Sequence, residues 1–347
     1  MATQLISIVI PIFNEEFTIP ELEVRLSALL ARLQAKGLSW EVLFVNDGSR
    51  DRSLELLRAL GARETRYRLI SFSRNFGHQM AITAGMDHAE GDAVVVMDAD
   101  LQDPPEVVED MVDRWREGND VVYAVREKRL GESVFKKATA ALFYRALRSL
   151  TGVDIPVDAG DFRLMSRPVV LTMRALRERH RFIRGLVAWV GFRQTSIRYE
   201  RQARFAGETK YPLSKMLRFA ADGITSFSTL PLRAATWLGV LSGMLAVVVG
   251  LWSVYTKFFV RGVVPGWTTL MIVIAFSSSV QLIMMGILGE YIGRAYEQLK
   301  GRPLYIVAEQ LNLAPADRQL DVHPGAVRPP VGEGTSATVL QRGPSSG

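Results

Sequence analysis

Two stretches toward the C-terminal end, Ala234 to Thr256 and Gly262 to Gly289, contain no Asp, Glu, Lys or Arg. At a helical rise of 1.5 Å per residue, each exceeds the roughly 20 residues that cross about 30 Å of hydrocarbon. Any fold for this chain therefore has to supply either a bilayer or a large apolar core for two long helices. Length favours the bilayer over a buried soluble hairpin, and the spacing predicts spans at about 234–257 and 266–290. Trp237, Trp252, Tyr255, Trp267 and Tyr291 fall near the expected interfaces, where amphipathic rings belong. The apolar run from Ile6 to Phe13 differs in kind: it is short and is followed at once by Asn14, Glu15 and Glu16, so it reads as a strand and not as a signal peptide.

Upstream of the spans, short β-branched runs alternate with helical patterns: Ile6–Ile10, Glu41–Val45, Leu69–Phe72, Ala93–Met97 and Val121–Val125. Alternation of this kind predicts βαβ units and a mainly parallel sheet. The first helix is punctuated by Thr18 as a cap, Pro20 in the first turn and Gly37 at the end. Ligands of open α/β sheets bind beyond the carboxyl ends of the strands. Asn14-Glu15-Glu16 follows the first strand, Asn46-Asp47-Gly48-Ser49 the second and Asp98-Ala-Asp100 the fourth, so Glu15, Asp47, Asp98 and Asp100 are expected on one face.

Two basic amphipathic stretches, Ser133 to Leu150 and Tyr211 to Arg233, suit a membrane surface; the first is equally explained by packing on the sheet. The net charge of +6 suits an anionic partner without naming one. With no cysteine, thiolate metal sites, disulfides and cysteine nucleophiles are excluded. His78, His88, His180 and His323 form no metal-ligand spacing and receive no role. The Pro/Gly/Ser-rich segment beyond Ala314 reads as a disordered tail.

In an extended segment residues i and i+2 project to one side, so Asp98 and Asp100 can present two carboxylates to one cation. Hard oxygen ligands suit Mg2+ or Mn2+, which keep waters and are completed by substrate phosphates. Gln102 can add a carbonyl oxygen, and such an ion would neutralise a leaving diphosphate. A bare Asp-x-Asp is also what a solvated loop or helix cap looks like. Here Pro104 and Pro105 fix its end.

Taken together, Ile8-Val9-Ile10-Pro11-Ile12-Phe13-Asn14-Glu15-Glu16, Val45-Asn46-Asp47-Gly48-Ser49, Ser73-Arg74-Asn75-Phe76-Gly77 and Asp98-Ala-Asp100-Leu-Gln-Asp103-Pro-Pro105 resemble the family 2 inverting glycosyltransferases of GT-A fold. The later Gly160-Asp161-Phe162-Arg163-Leu164-Met165 and Arg204-Phe-Ala-Gly207-Glu-Thr-Lys210-Tyr211, followed by two spans, are similar to the polyprenyl-phosphate branch, which includes the GtrB, ArnC and dolichyl-phosphate mannose synthase types. The resemblance runs from about Ile6 to Pro303.

The resemblance implies a GT-A, Rossmann-like α/β nucleotide-sugar domain over residues 1–210, interfacial amphipathic helices over 211–233, two transmembrane helices within 234–293, and a C-terminal segment with a disordered tail over 294–347. Pro11, Glu15, Asp47 and Asp98 would line the nucleotide-sugar pocket; Asp98, Asp100 and Gln102 would serve the metal and diphosphate. Asp161 is nominated as catalytic base, with Asp158 three residues earlier as the fallback. Arg201, Arg204 and Lys210 would receive the acceptor phosphate, Arg204 acting in catalysis as well, since a guanidinium binds phosphate bidentately and a lysine adds a compact charge. A phosphate monoester has its second pKa near 6, so the acceptor is already an anionic nucleophile at neutral pH. Asp161 is then as well suited to positioning as to deprotonation, and a salt bridge to Arg163 is the structural alternative.

These implications add up to an enzyme that moves one sugar, UDP-glucose being the leading donor, onto undecaprenyl or another polyprenyl phosphate at the cytoplasmic face of a bacterial inner membrane. UDP-linked aminoarabinose, galactose, N-acetylhexosamine and GDP-mannose stay open as donors. The expected partners are the nucleotide sugar, the lipid and the membrane, with no nucleic acid, and the resemblance suggests a homo-oligomer, a tetramer. Basic residues at Arg218, Arg233, Arg294, Lys300 and Arg302 favour a cytoplasmic catalytic domain, with Lys257 and Arg261 opposing mildly. A processive polysaccharide synthase would carry a Gln-x-x-Arg-Trp motif, which is absent. A catalytically silent membrane scaffold is the non-enzyme alternative, against which the intact acidic motifs argue.

Overall fold

The computed structural model describes residues 3–126, 159–200, 229–259 and 266–313. Asp158, Arg201, Arg204, Lys210, the basic stretch at 133–150 and the amphipathic stretch at 211–228 lie outside the described residues. In chain order the elements are β1 (Leu5–Ile12), α1 (Ile19–Ala35), β2 (Ser39–Asn46), α2 (Ser53–Arg63), β3 (Tyr67–Phe72), α3 (His78–His88), β4 (Ala93–Val96), α4 (Val107–Arg116), β5 (Val121–Arg126) and β6 (Ala159–Ser166). They continue with α5 (Arg167–Ala175), α6 (Ile183–Trp189), β7 (Gln194–Tyr199), α7 (Leu230–Phe259), α8 (Trp267–Leu299) and β8 (Val307–Leu311).

The strands form one 8-stranded sheet in the order β7-β5-β6-β4-β1-β2-β3-β8. β1 to β4 pair in parallel, as the alternation predicts. The sheet as a whole is mixed: β6 inserts antiparallel between β4 and β5, and β8 runs antiparallel along the β3 edge. Central strands are buried on both faces, which is why β4 reads as an unbroken apolar run and β1 as one interrupted only by the buried Ser7. Alternate residues serve opposite cores: Ile6, Ile8, Ile10 and Ile12 meet Leu22, Leu26 and Leu29 of α1, whereas Val9, Val94 and Val96 meet Ile82 of α3 and Val169 of α5. α1 keeps its predicted punctuation, with Thr18 at the N-cap, Pro20 in the first turn and Gly37 following at φ +74°. The Thr18 hydroxyl does not cap the helix; it donates to Glu15 Oε2 at 2.8 Å.

α7 and α8 match the two predicted spans and extend beyond them, over 30 and 33 residues. Their most apolar windows are 6% and 0% buried, with Trp237, Leu251, Leu282 and Met285 each about two-thirds exposed or more. A soluble core hairpin would hide these side chains, so the apolar surface calls for lipid. The segment after α8, for which the sequence predicts no element, returns to the sheet as β8, paired from Leu69↔Leu311 to Phe72↔Val307 and tied by Arg58 to Glu309 at 2.6 Å.

Candidate active site

The strand order reverses between β1 and β4, and the acidic residues collect there. β4 pairs with β1 only from Ile6 to Val9, so Pro11 lies beyond the last β4 partner, opposite Val45, where a missing N–H breaks no ladder on that side. The loops after β1 and β2 are stitched to each other. Asn14 N–H donates to Ser49 Oγ at 3.0 Å, Arg50 N–H to Asn14 Oδ1 at 2.9 Å and Glu15 N–H to Ser53 Oγ at 2.9 Å. Glu15 is half-buried in this seam, accepting from Thr18.

Asp47 has a more specific local task than pocket lining. It is 3% exposed, and its two oxygens accept the Phe76 and Gly77 N–H groups at 2.6 and 2.9 Å. Burial raises its pKa, and these two amide bonds pull in the opposite direction. Gly48, at φ +67°, lies so close under this loop that a Cβ would come within 2.5 Å of the Arg74 carbonyl carbon. Asp47-Gly48 thus pins the Ser73–Gly77 loop that opens α3 and places His78 at the head of that helix.

Asp98 and Asp161 come together through strand register. In the antiparallel β4–β6 pair Val96 faces Arg163, and two further steps set Asp98 opposite Asp161. The His78 ring lies between them, Nε2 being 3.4 Å from Asp98 Oδ1 and 3.5 Å from Asp161 Oδ2. Among the described residues Asp98 Oδ1 is buried without a hydrogen-bond partner. Burial, with Asp161, Asp103 and Asp100 nearby, pushes the Asp98 carboxyl up to about 6 against the pull of His78. For His78, burial works downward, but Asp161 and Asp98 prevail and hold the imidazole up at about 9. His78 received no role in the sequence because its partners are far away along the chain; its position at the head of α3, just past a strand end, was the available signal.

Asp161 is 5% exposed and strongly committed. Arg184, from the first turn of α6, grips both its oxygens at 3.0 and 2.9 Å, while the buried Arg163 lies 3.4 Å away and Gln79 Nε2 3.5 Å away. Although burial opposes ionisation, Arg184 and His78 hold this carboxyl well below the usual range. A carboxylate so stabilised is a weak base and a strong organiser of cations. Arg163 is the salt-bridge partner anticipated in the sequence; Arg184 was not foreseen, since nothing in its local sequence sets it apart.

The rest of the Asp98 segment is braced. Asp100 and Gln102 are half-buried, and Gln102 N–H donates to Asp100 Oδ1 at 3.1 Å. Leu101, between them, adopts φ +57° while 2% exposed, a sparsely populated backbone state held by its surroundings. Asp103 is fully buried, accepting from the Tyr199 hydroxyl with Arg126 3.7 Å away. Among the described residues no three His, Asp or Glu side chains form a closed metal cage.

Comparison with known proteins matches residues 7–173 to glycosyl transferase family 2 and residues 230–295 to the GtrB C-terminal hairpin. A Bacillus subtilis protein named uncharacterized glycosyltransferase YkcC is 50% identical over 88% of this chain and 94% of its own length. The chain belongs to glycosyl transferase family 2. Within that family, the bactoprenol glucosyl transferase of Shigella phage SfII is 40% identical over 87% of this chain and 97% of its own. The Escherichia coli prophage bactoprenol glucosyl transferase homolog is 39% identical over 87% and 98%. Among solved structures, glucosyl-3-phosphoglycerate synthase from Mycobacterium tuberculosis aligns with TM-score 0.44 and 22% identity over 65% of this chain and 78% of that one. The fold is a GT-A glycosyltransferase fold on a mixed sheet, and the chain is a transferase with a C-terminal hairpin of two long apolar helices.

Proposed function

We propose that this glycosyltransferase moves a single glucose from UDP-glucose, with inversion, onto undecaprenyl or a related polyprenyl phosphate at the cytoplasmic face of a bacterial plasma membrane. One observation carries the reading: an acidic site at the β1–β4 switch point is joined, through β8, to a two-helix apolar hairpin of the GtrB type. A donor handled in water and an acceptor held in lipid explain both halves. Relatives about 40% identical over most of the chain are named bactoprenol glucosyl transferases, which supports glucose and the lipid acceptor.

An even number of spans would return the chain to the side it left, and nucleotide sugars are cytoplasmic; both support a cytoplasmic catalytic domain. The donor's nucleotide would lie against Pro11, Glu15 and the Asp47 loop. Asp98, Asp100 and Gln102 fit a divalent ion, Mg2+ or Mn2+. Asp98 Oδ1, buried with no hydrogen bond and only the His78 ring 3.4 Å away, and the raised Asp98 pKa are what crowded carboxylates display where a cation belongs. When bound, such an ion neutralises the departing diphosphate. The chain's own residues do the rest: Asp161 holds Arg184 and His78 as an ordered pair of cations beside the reacting centre, and the acceptor phosphate arrives already ionised, so that a strong base is unnecessary. Arg201, Arg204 and Lys210 are assigned to that phosphate, and Asp158 is held as the alternative acid.

The test is incubation of membranes containing the protein with labelled nucleotide sugars and undecaprenyl phosphate, with and without chelator. Label from UDP-glucose is expected in the lipid extract, and only without chelator. Transfer solely from another donor would replace glucose, and label in long polymer alone would refute single-sugar transfer.

A further inference from the structure

The C-terminal end of α8 is locked to the segment that carries Arg184. Gln298, in its last turn, accepts the Arg179 N–H at 2.8 Å and donates to the Arg177 carbonyl at 2.9 Å, so one amide side chain reads both edges of a backbone segment. Arg179 reaches back to Glu297 at 3.1 Å and to the Arg302 carbonyl at 3.5 Å. Arg177 bonds Asp87 of α3 at 2.7 Å, and Tyr305, on the way from α8 to β8, bonds the same carboxylate oxygen at 2.8 Å. The gripped segment runs directly into α6, where Ile183 N–H donates to Gln79 at 3.1 Å and Arg184 holds Asp161.

The first charge after the apolar stretch of α8 is Glu290, eight residues before Gln298, so the grip stands about 12 Å along the helix beyond the apolar boundary. A lipid phosphate enters at a depth fixed by the bilayer, whereas Arg184 and Asp161 are fixed to the sheet. Something has to set one height against the other. We propose that Gln298, assisted by Arg179, is a positioning residue that registers the catalytic site against the membrane, so that a bilayer-embedded acceptor phosphate meets the Asp161–Arg184 pair at the right depth.

This inference rests on the lipid-acceptor reading. Full-length wild type, Gln298→Ala and Arg179→Ala are reconstituted in phosphatidylglycerol-containing vesicles. Initial rates are then compared for undecaprenyl phosphate in the bilayer and for a short, water-soluble polyprenyl phosphate added from solution. For Gln298→Ala, kcat/KM with the embedded acceptor should fall about 10-fold, chiefly through acceptor KM, and for Arg179→Ala about 3-fold, while donor KM and the rate with the soluble acceptor stay within about 2-fold. A merely structural role would lower both acceptors together; that result, or no change with either, overturns the proposal. Wild type that uses neither acceptor overturns the acceptor assignment and this inference with it, an outcome distinguished by the wild-type rates alone.

Discussion

Removing Arg184 while leaving Asp161 in place should be one of the most damaging single changes in the sheet domain. Arg184 supplies two charge-assisted hydrogen bonds, at 3.0 and 2.9 Å, to a carboxylate whose side chain is 6% exposed. Stripping one partner from a buried ion pair costs about 3–5 kcal/mol. Arg163 at 3.4 Å and His78 at 3.5 Å stay behind and share the stranded charge, so we expect about 2–3 kcal/mol for Arg184→Ala. Asp161→Asn strands Arg184, 30% exposed, and with it Arg163, 1% exposed, and should cost about 3–5 kcal/mol. Arg184→Ala with Asp161→Asn removes the Arg184–Asp161 contact once and not twice, so the double variant, in which the buried Arg163 is still stranded, should be less damaged than the sum of the singles by about 2 kcal/mol. In thermal unfolding of the detergent-solubilised full chain, Arg184→Ala should lower the midpoint by about 5–10 °C, and adding Asp161→Asn should lower it further by less than Asp161→Asn does alone. Strict additivity would refute the view that Asp161 is held by Arg184.

Asp98→Ala with Asp100→Ala should abolish chelator-sensitive transfer while membrane extraction behaviour stays that of wild type; unchanged activity would remove the metal from the account. Gly48→Ala forces a Cβ to within 2.5 Å of Arg74 backbone at φ +67°. It should raise donor KM at least about 10-fold by displacing the loop bonded to Asp47, measured by steady-state kinetics. The folded state binds the His78 proton more tightly than the unfolded chain does. Its stabilising contribution is therefore full below about 6.5 and is lost as pH rises through about 9. His78→Gln should flatten stability against pH in that window, and an unchanged profile would contradict the bridge to Asp98 and Asp161.

What the sequence disclosed follows the physics of each element. β1 to β5 announced themselves because strands of a buried sheet are written in β-branched, aromatic and other apolar residues, and α7 and α8 because their long apolar stretches carry no charge. β6 was recognised as a motif and not as a strand: its centre carries Asp161 and Arg163, two buried charges that satisfy each other only through Arg184, His78 and Gln79 contributed from elsewhere. That antiparallel strand is also why the sheet is mixed. β8 escaped notice because its five residues alternate half-buried with exposed on a sheet edge, a pattern too short and too weakly apolar to announce a strand. Asp98 and Asp47 were legible from their places after strands, though the role of Asp47 in pinning a loop required the Phe76 and Gly77 amides to be seen against it. Arg184 is disclosed by tertiary structure alone, and His78 only by its place at the head of α3.

The central claim, transfer of one sugar to a lipid phosphate, is tested most directly by the mass and anomeric configuration of the lipid made from UDP-glucose and undecaprenyl phosphate by the purified full-length protein. The account predicts undecaprenyl phosphate carrying a single hexose in the configuration opposite to the donor's, with UDP released. A lipid bearing hexose phosphate with release of UMP, a retained anomer, or a ladder of added hexoses would contradict it.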